Sequence, residues 1–168
     1  MEFSVAMIKP MTISFSYDKR QVLQALRYHF ISRPEIRIMI ILVNIFALVC
    51  VVLYYFKKIA AFAVVTGSCM WFFLMMSFWF AMPAMVYRRA ATFKDSFTMK
   101  FEEEGFSLSN ERGSKQWSWK ALSTFMESPN FFHLYFDSRS FFLVPKNGFS
   151  DRDSIYEMRQ LLKVKVKK

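Results

Sequence analysis

The chain is predicted to be a membrane α+β protein. A two-helix transmembrane hairpin joins a small antiparallel β domain that a C-terminal helix caps. Three observations predict this. Two uncharged apolar runs, Ile38 to Phe56 and Ile59 to Tyr87, lie back to back with only Lys57 and Lys58 between them. From Thr92 onward the apolar residues recur at every second position. After Ser150 they recur at three- and four-residue spacing. Three segments follow: 1–34, a strand and an amphipathic helix; 35–90, the hairpin, with spans near 36–56 and 59–87; and 91–168, the β domain with its helix.

A helix needs ~20 apolar residues to cross ~30 Å of hydrocarbon, and both runs meet that length. Hydrophobic residues make up 54% of the 168 residues, which a rich soluble core could also reach. The clustering decides, because two adjacent helices without charges would use most of a soluble interior. Met1 to Tyr17 has no continuous apolar core and is broken by Lys9-Pro10, so no cleaved signal peptide is expected.

Orientation follows from Lys/Arg bias. Arg27, Arg33 and Arg37 precede the first run, and Arg88, Arg89 and Lys94 follow the second; the far side offers only Lys57 and Lys58. The expectation is a multi-pass protein of the bacterial inner membrane with both termini cytoplasmic. Arg33, Arg37, Arg88 and Arg89 are the candidate contacts to lipid headgroups. Of the formal net charge of +10, much flanks the membrane, where anionic lipids attract it. No basic helix or zinc-finger spacing points to nucleic acid. Cys50 and Cys69 lie inside the apolar runs, where they read as small packing residues.

Residues 12–17 alternate apolar and polar, a short strand signal. No other strand is near them in sequence, so they are expected to join the distant C-terminal sheet. Tyr17 to Ile31 carries Val22, Leu23, Leu26 and Phe30 at helical spacing. Two placements suit this helix: along the inner headgroup layer, with Arg20 and Arg27 beside its stripe, or packed on the soluble domain. In the hairpin, the amide of Asn44 is costly in hydrocarbon unless bonded, so it should face the second helix or another subunit. Ala63 and Gly67 form a small-xxx-small pair. Hairpin packing is the simple reading, and a homodimer through the hairpin is the sharper one. The second run measures ~43 Å as a helix, so it must tilt or protrude. Pro83 sits near its cytoplasmic end.

In the β domain, Phe93, Asp95, Phe97, Met99 and Phe101 share one face. Glu103-Glu104-Gly105, Asn110 to Ser114, Pro129-Asn130 and Asp137 to Ser140 read as turns. Gln116–Ser118, Leu122–Met126, Phe131–Phe136 and Phe141–Val144 read as strands, with Trp117 and Trp119 on one face. Ser150 opens the last helix with Asp153 three residues on, and Ile155, Met158, Leu161 and Leu162 form its stripe. A basic tail, Lys163 to Lys168, ends the chain. Roughly six meandering strands and a closing helix match the layout of a pleckstrin-homology-like (PH-like) barrel.

Local strings resemble the bacterial YcxB-like family. They are Phe93-Lys94-Asp95-Ser96-Phe97-Thr98, Phe101-Glu102-Glu103-Glu104-Gly105, Trp117-Ser118-Trp119 before Phe125, Asn130-Phe131-Phe132-His133-Leu134-Tyr135 and Phe142-Leu143-Val144-Pro145-Lys146. Phe149 and Leu161-Leu162 complete the set. The likeness in order covers most of the chain. It implies a fold and a membrane location and supplies no catalytic residues.

Enzymatic constellations are not found: no His-Glu-x-x-His, no Gly-x-Ser-x-Gly and no glycine loop for phosphate. His133 alternates with Phe132 and Leu134 and should point away from their face, to the surface or a partner. Pro145-Lys146-Asn147-Gly148 is either a strand terminator or a loop presenting Lys146 to a phosphate or carboxylate. No cofactor or metal is expected. With no ionisable residue inside either span, transport is disfavoured. The expected function is a non-enzymatic inner-membrane protein whose cytoplasmic β domain binds a protein partner, with His133 and Lys146 as candidate contacts. One specific form of this is an immunity or self-protection protein. The alternative is an anionic-lipid-sensing module, which gives membrane lipids as partners.

Overall fold

The computed structural model describes residues 10–137 and 140–166. The stretch before Pro10, the centre of the Asp137–Ser140 turn and the terminal Lys167 and Lys168 lie outside the described residues. The chain forms two compact units, Met1–Gln21 with Ala91–Lys168 and Val22–Ala90.

The first unit is the β domain, and its sequence is split. Strand β1 (Met11–Ser16) pairs antiparallel with β2 (Ser96–Phe101) in register from Met11↔Phe101 to Ser16↔Ser96. The strand at the N-terminus thus joins the distant sheet, as its lack of a local partner requires. β3 (Gly105–Asn110) and β4 (Gly113–Ser118) extend this sheet in the order β1-β2-β3-β4. A second antiparallel sheet is β5 (Thr124–Glu127), β6 (Phe131–Tyr135) and β7 (Phe141–Pro145). Helix α5 (Arg152–Lys165) closes the chain.

Side-chain alternation decides the faces of the first sheet. Ile13, Phe15, Phe97, Met99 and Phe101 are buried, whereas Thr12, Ser14, Ser16 and Ser96 are exposed. Phe106, Trp119, Phe132, Leu134, Val144, Met158 and Leu162 complete the core, each fully buried large side chain contributing ~1.5–3 kcal/mol. Phe93 stops short of the strand, because Ala91–Lys94 forms a 3-10 turn. Trp119 also leaves the strand in which Trp117 lies. It begins a 3-10 turn, Trp119–Ala121, and its indole donates to the Glu102 carbonyl at 3.0 Å. Both indoles still pack on Phe106, with centroids at 5.6 and 5.3 Å. The cap of α5 is Asp151 rather than Ser150: the Asp151 carboxylate accepts from the Ser154 N–H at 2.7 Å. Met158, Leu161 and Leu162 are its buried stripe.

Most of α1 (Lys19–Ser32) belongs to the second unit, with Val22, Ala25, Leu26 and His29 buried along one face. Arg33 breaks the helix with extended backbone, and Pro34 opens α2 (Pro34–Tyr55), where its missing N–H costs nothing. Lys57 takes a left-handed φ of 57° just past α2, and the Lys58 N–H bonds back to the Leu53 carbonyl. This is a Schellman-type stop with lysine where glycine is usual. The second apolar run is one 29-residue helical stretch made of α3 (Ala61–Met76), a π-helical segment (Ser77–Ala81) and α4 (Met82–Arg89). Both helical stretches are long and apolar enough to cross a membrane, and none of their apolar windows is buried.

Candidate functional site

The expected lipid-contact arginines sit at the two ends of the hairpin that share a side. Arg37, Arg88 and Arg89 are exposed. Arg33 is half-buried, and its Nε donates to His29 Nε2 at 3.2 Å. Burial, and then the Arg33 charge, push the His29 pKa down to about 4, so the ring is neutral at pH 7.

A residue that was not a candidate belongs with this group. Pro83 has no N–H for the carbonyl four residues before it, that of Trp79. The helix widens there into the π segment, where the Met82 N–H reaches the Ser77 carbonyl. Arg27 Nε donates to the Trp79 carbonyl at 3.0 Å. Its guanidinium also lies over the Trp79 and Phe80 rings, at 5.2 and 5.4 Å. The available signal was Pro83 placed four residues after an aromatic, with an arginine on the preceding amphipathic helix.

The helix-packing candidates divide. Asn44 faces the second helix: its Oδ1 accepts from Trp71 Nε1 at 3.3 Å, and its Nδ2 donates to the Ile40 carbonyl at 2.7 Å. Gly67 faces Cys50, whose sulfur would lie 3.9 Å from an added Cβ. Ala63, one turn nearer the connection, is exposed. Gly67 is thus on the hairpin seam, and the pair does not form one outward stripe.

The partner-facing residues need correction. His133 does alternate away from Phe132 and Leu134, but β6 is buried on both faces and His133 is 0% exposed. Its ring stacks with Tyr135 and Phe141 at 6.3 and 6.2 Å. The Ser128 hydroxyl donates to the Phe131 carbonyl at 3.2 Å and meets His133 Nε2 at 3.0 Å. Through these contacts the hydroxyl ties the turn before β6 to the strand. Lys146 does not present its ammonium outward either. It binds Glu127 at 2.6 Å and lies over the Phe132 ring at 5.2 Å. Arg159 of α5 grips the same carboxylate through two bonds of 2.7 and 2.8 Å. The Arg159 bonds first, with help from Lys146, hold the Glu127 pKa down to about 2. This clasp ties β5, the turn after β7 and α5 together, a structural use of Lys146.

Among the described residues, one open sheet edge is that of β4. This strand ends its sheet and is exposed along nearly all its length. Trp119 N–H bonds the Glu104 carbonyl, and the β3–β4 register continues from there. Alternation then turns the backbone N–H and C=O of Ser114, Gln116 and Ser118 outward, away from β3. Beside this edge lies an open groove of about 1140 Å³, whose lining includes Glu103, Trp117, Trp119, Lys120, Leu122 and Val164. Sequence reasoning placed Trp117 and Trp119 together but could not see that α5 supplies the opposite wall.

Among the described residues no group of three or more His, Cys, Asp or Glu could hold a metal. Comparison with curated proteins and with solved structures gave no match. Over residues 101–162, from the last residue of β2 into α5, the chain matches the family model described as YcxB-like protein, the family that its strings resemble.

Proposed function

We propose that this chain is a non-enzymatic membrane protein whose PH-like domain binds a protein segment along the open edge of β4. Four strands, then three, then a closing helix support the PH-like reading of the domain. The apolar helices support the anchor: their side chains are exposed to whatever surrounds them, which suits lipid and not water. The Lys/Arg bias at the Arg37–Arg88 end supports a cytoplasmic domain in a bacterial inner membrane.

The single observation that carries the binding reading is the β4 edge with the adjoining groove. An extended peptide added there gains main-chain bonds from Ser114, Gln116 and Ser118 and can place one side chain against Trp117 and Trp119. Immunity against a membrane-active toxin is one version of this, testable by loss of tolerance on deletion. Lipid sensing by the β domain has less support, because Lys146 is committed to Glu127.

The test uses the full chain in native membranes, with a photo-crosslinking residue at Ser114. A single crosslinked protein is expected. Gln116→Pro should abolish it, since proline blocks an outward N–H at no cost to the β3 ladder. No adduct, or an adduct indifferent to Gln116→Pro, overturns the reading.

A further inference from the structure

We propose that Arg27 and Arg37, rather than Arg88 and Arg89, are the cations that meet lipid phosphate, because the hydrocarbon edge crosses the hairpin at Arg37 and Trp79. This rests on the membrane-spanning reading above.

Two contacts fix the register of the hairpin. Asn44 is level with Trp71, and Cys50 with Gly67. In an antiparallel pair, each step along one helix matches a step back along the other. Trp79, eight residues past Trp71, is therefore level with the Ile36–Arg37 turn. Ile38 to Tyr55 is 18 residues, and so is Ala61 to Phe78. Each measures ~27 Å, close to the hydrocarbon thickness. Of the two expectations for the second run, tilt or protrusion, this register gives protrusion. The run's surplus, Phe80 to Arg89, is ~15 Å that stands beyond the hydrocarbon.

Arg27 reinforces this placement. It spends one guanidinium donor on the Trp79 carbonyl and lies over the rings of Trp79 and Phe80. Guanidinium on interfacial aromatics, with donors left for an anion, is chemistry suited to the headgroup layer. Arg37, exposed at the same level on α2, is its neighbour in depth. Arg88 and Arg89 lie ~14 Å farther along the helix, past the phosphates.

The test has two parts on the full chain. In the first, the two native cysteines are changed to alanine, and single cysteines at Leu48, Leu74 and Met85 are probed with an impermeant maleimide in membranes broken open so that both faces are reached. Met85 should label while Leu48 and Leu74 stay protected. Labelling at all three defeats the membrane reading itself. Protection at all three leaves that reading standing and defeats this inference. In the second part, native mass spectrometry counts phosphatidylglycerol retained by the purified protein. Arg27→Gln and Arg37→Gln should each weaken retention about fivefold, Arg27→Lys should keep it, and Arg88→Gln should leave it unchanged. The reverse ranking overturns the inference.

Discussion

Replacing Glu127 by Gln tests whether the clasp between the second sheet and α5 stabilises the domain. The variant keeps the shape but removes the charge that Arg159 and Lys146 share. Depression of the carboxyl from 4.5 to about 2 corresponds to ~3.4 kcal/mol at 1.36 kcal/mol per unit. The side chain is 28% exposed, as is much of Arg159, so solvent screening brings the expected loss to ~1–2 kcal/mol. For a domain of this size that lowers Tm by roughly 5–10 °C. The assay is thermal unfolding of the full chain in detergent, followed by near-ultraviolet circular dichroism of the buried tryptophans. The pH dependence separates the cause. A depressed carboxyl pKa gives stability that is complete above about 4.5 and is lost as pH falls toward 2. His29 acts over a different window. Its lowered pKa means protonation favours the unfolded chain, so its contribution fades as pH falls from 6.5 toward 4. Glu127→Gln should shrink the loss below 4.5, leaving the parts due to the Asp151 cap and to the end of the His29 titration, and keep the change between 6.5 and 4.5 intact. An unchanged Tm at pH 7, or an unchanged slope below 4.5, would refute the clasp.

Three further outcomes follow from single contacts. Tyr17→Phe removes the hydroxyl that donates to the Leu143 carbonyl at 2.7 Å and should cost ~1–2 kcal/mol in chemical denaturation; burial pushes the phenol pKa up, so the effect should not vary between pH 6 and 9. Gly105→Ala places a Cβ 2.1 Å from the Trp117 carbonyl oxygen, which is backbone and cannot swing aside, so a loss of about 3 kcal/mol is expected, read as lowered Tm. Gly67→Ala meets only Cys50 at ordinary contact and gains helix propensity of up to ~1 kcal/mol, so stability should hold or rise with no change in oligomeric state by light scattering; dissociation of a dimer would return Gly67 to an outward face.

The sequence was most legible where one physical term dominates. Hydrophobic length located both long apolar helices, and alternation located the strands from β2 to β7 to within a few residues. It misled where the same pattern has two structural solutions. His133 sits at an alternate position of β6, which fits a strand with one wet face, but nothing within the strand reports that its second face is covered. Trp119 continues the rhythm of Trp117, yet the chain turns there so that the indole can reach the Glu102 carbonyl. Lys146 looked available because Glu127 and Arg159 are distant in sequence. The Arg27 contact depends on the N–H that Pro83 lacks, which the sequence shows, and on α1 lying beside that turn, which it does not. The open edge of β4 follows from its end place in the sheet, and the groove beside it needs α5 for its opposite wall.

The split of the β domain bears on how its function should be sought. Ser16 and Ser96 are register partners, so the 79 residues between them leave and re-enter the sheet at one point. Such an insertion can hold an even number of membrane crossings but not an odd one, since β1 and β2 must meet on one side. Closing a flexible loop of that length would cost on the order of 4 kcal/mol. An antiparallel hairpin returns the chain to the side it left, and so lowers that cost before the strands pair. The segment that matches the YcxB-like family begins at Phe101, after β1 and nearly all of β2. A fragment cut to the matched segment, or to residues 91–168, would lack Ile13 and Phe15 from the core and bare the edge of β2. That edge would itself recruit strands. Partners captured by such a fragment would report the missing β1, whereas partners of the β4 edge are defined only on the full chain.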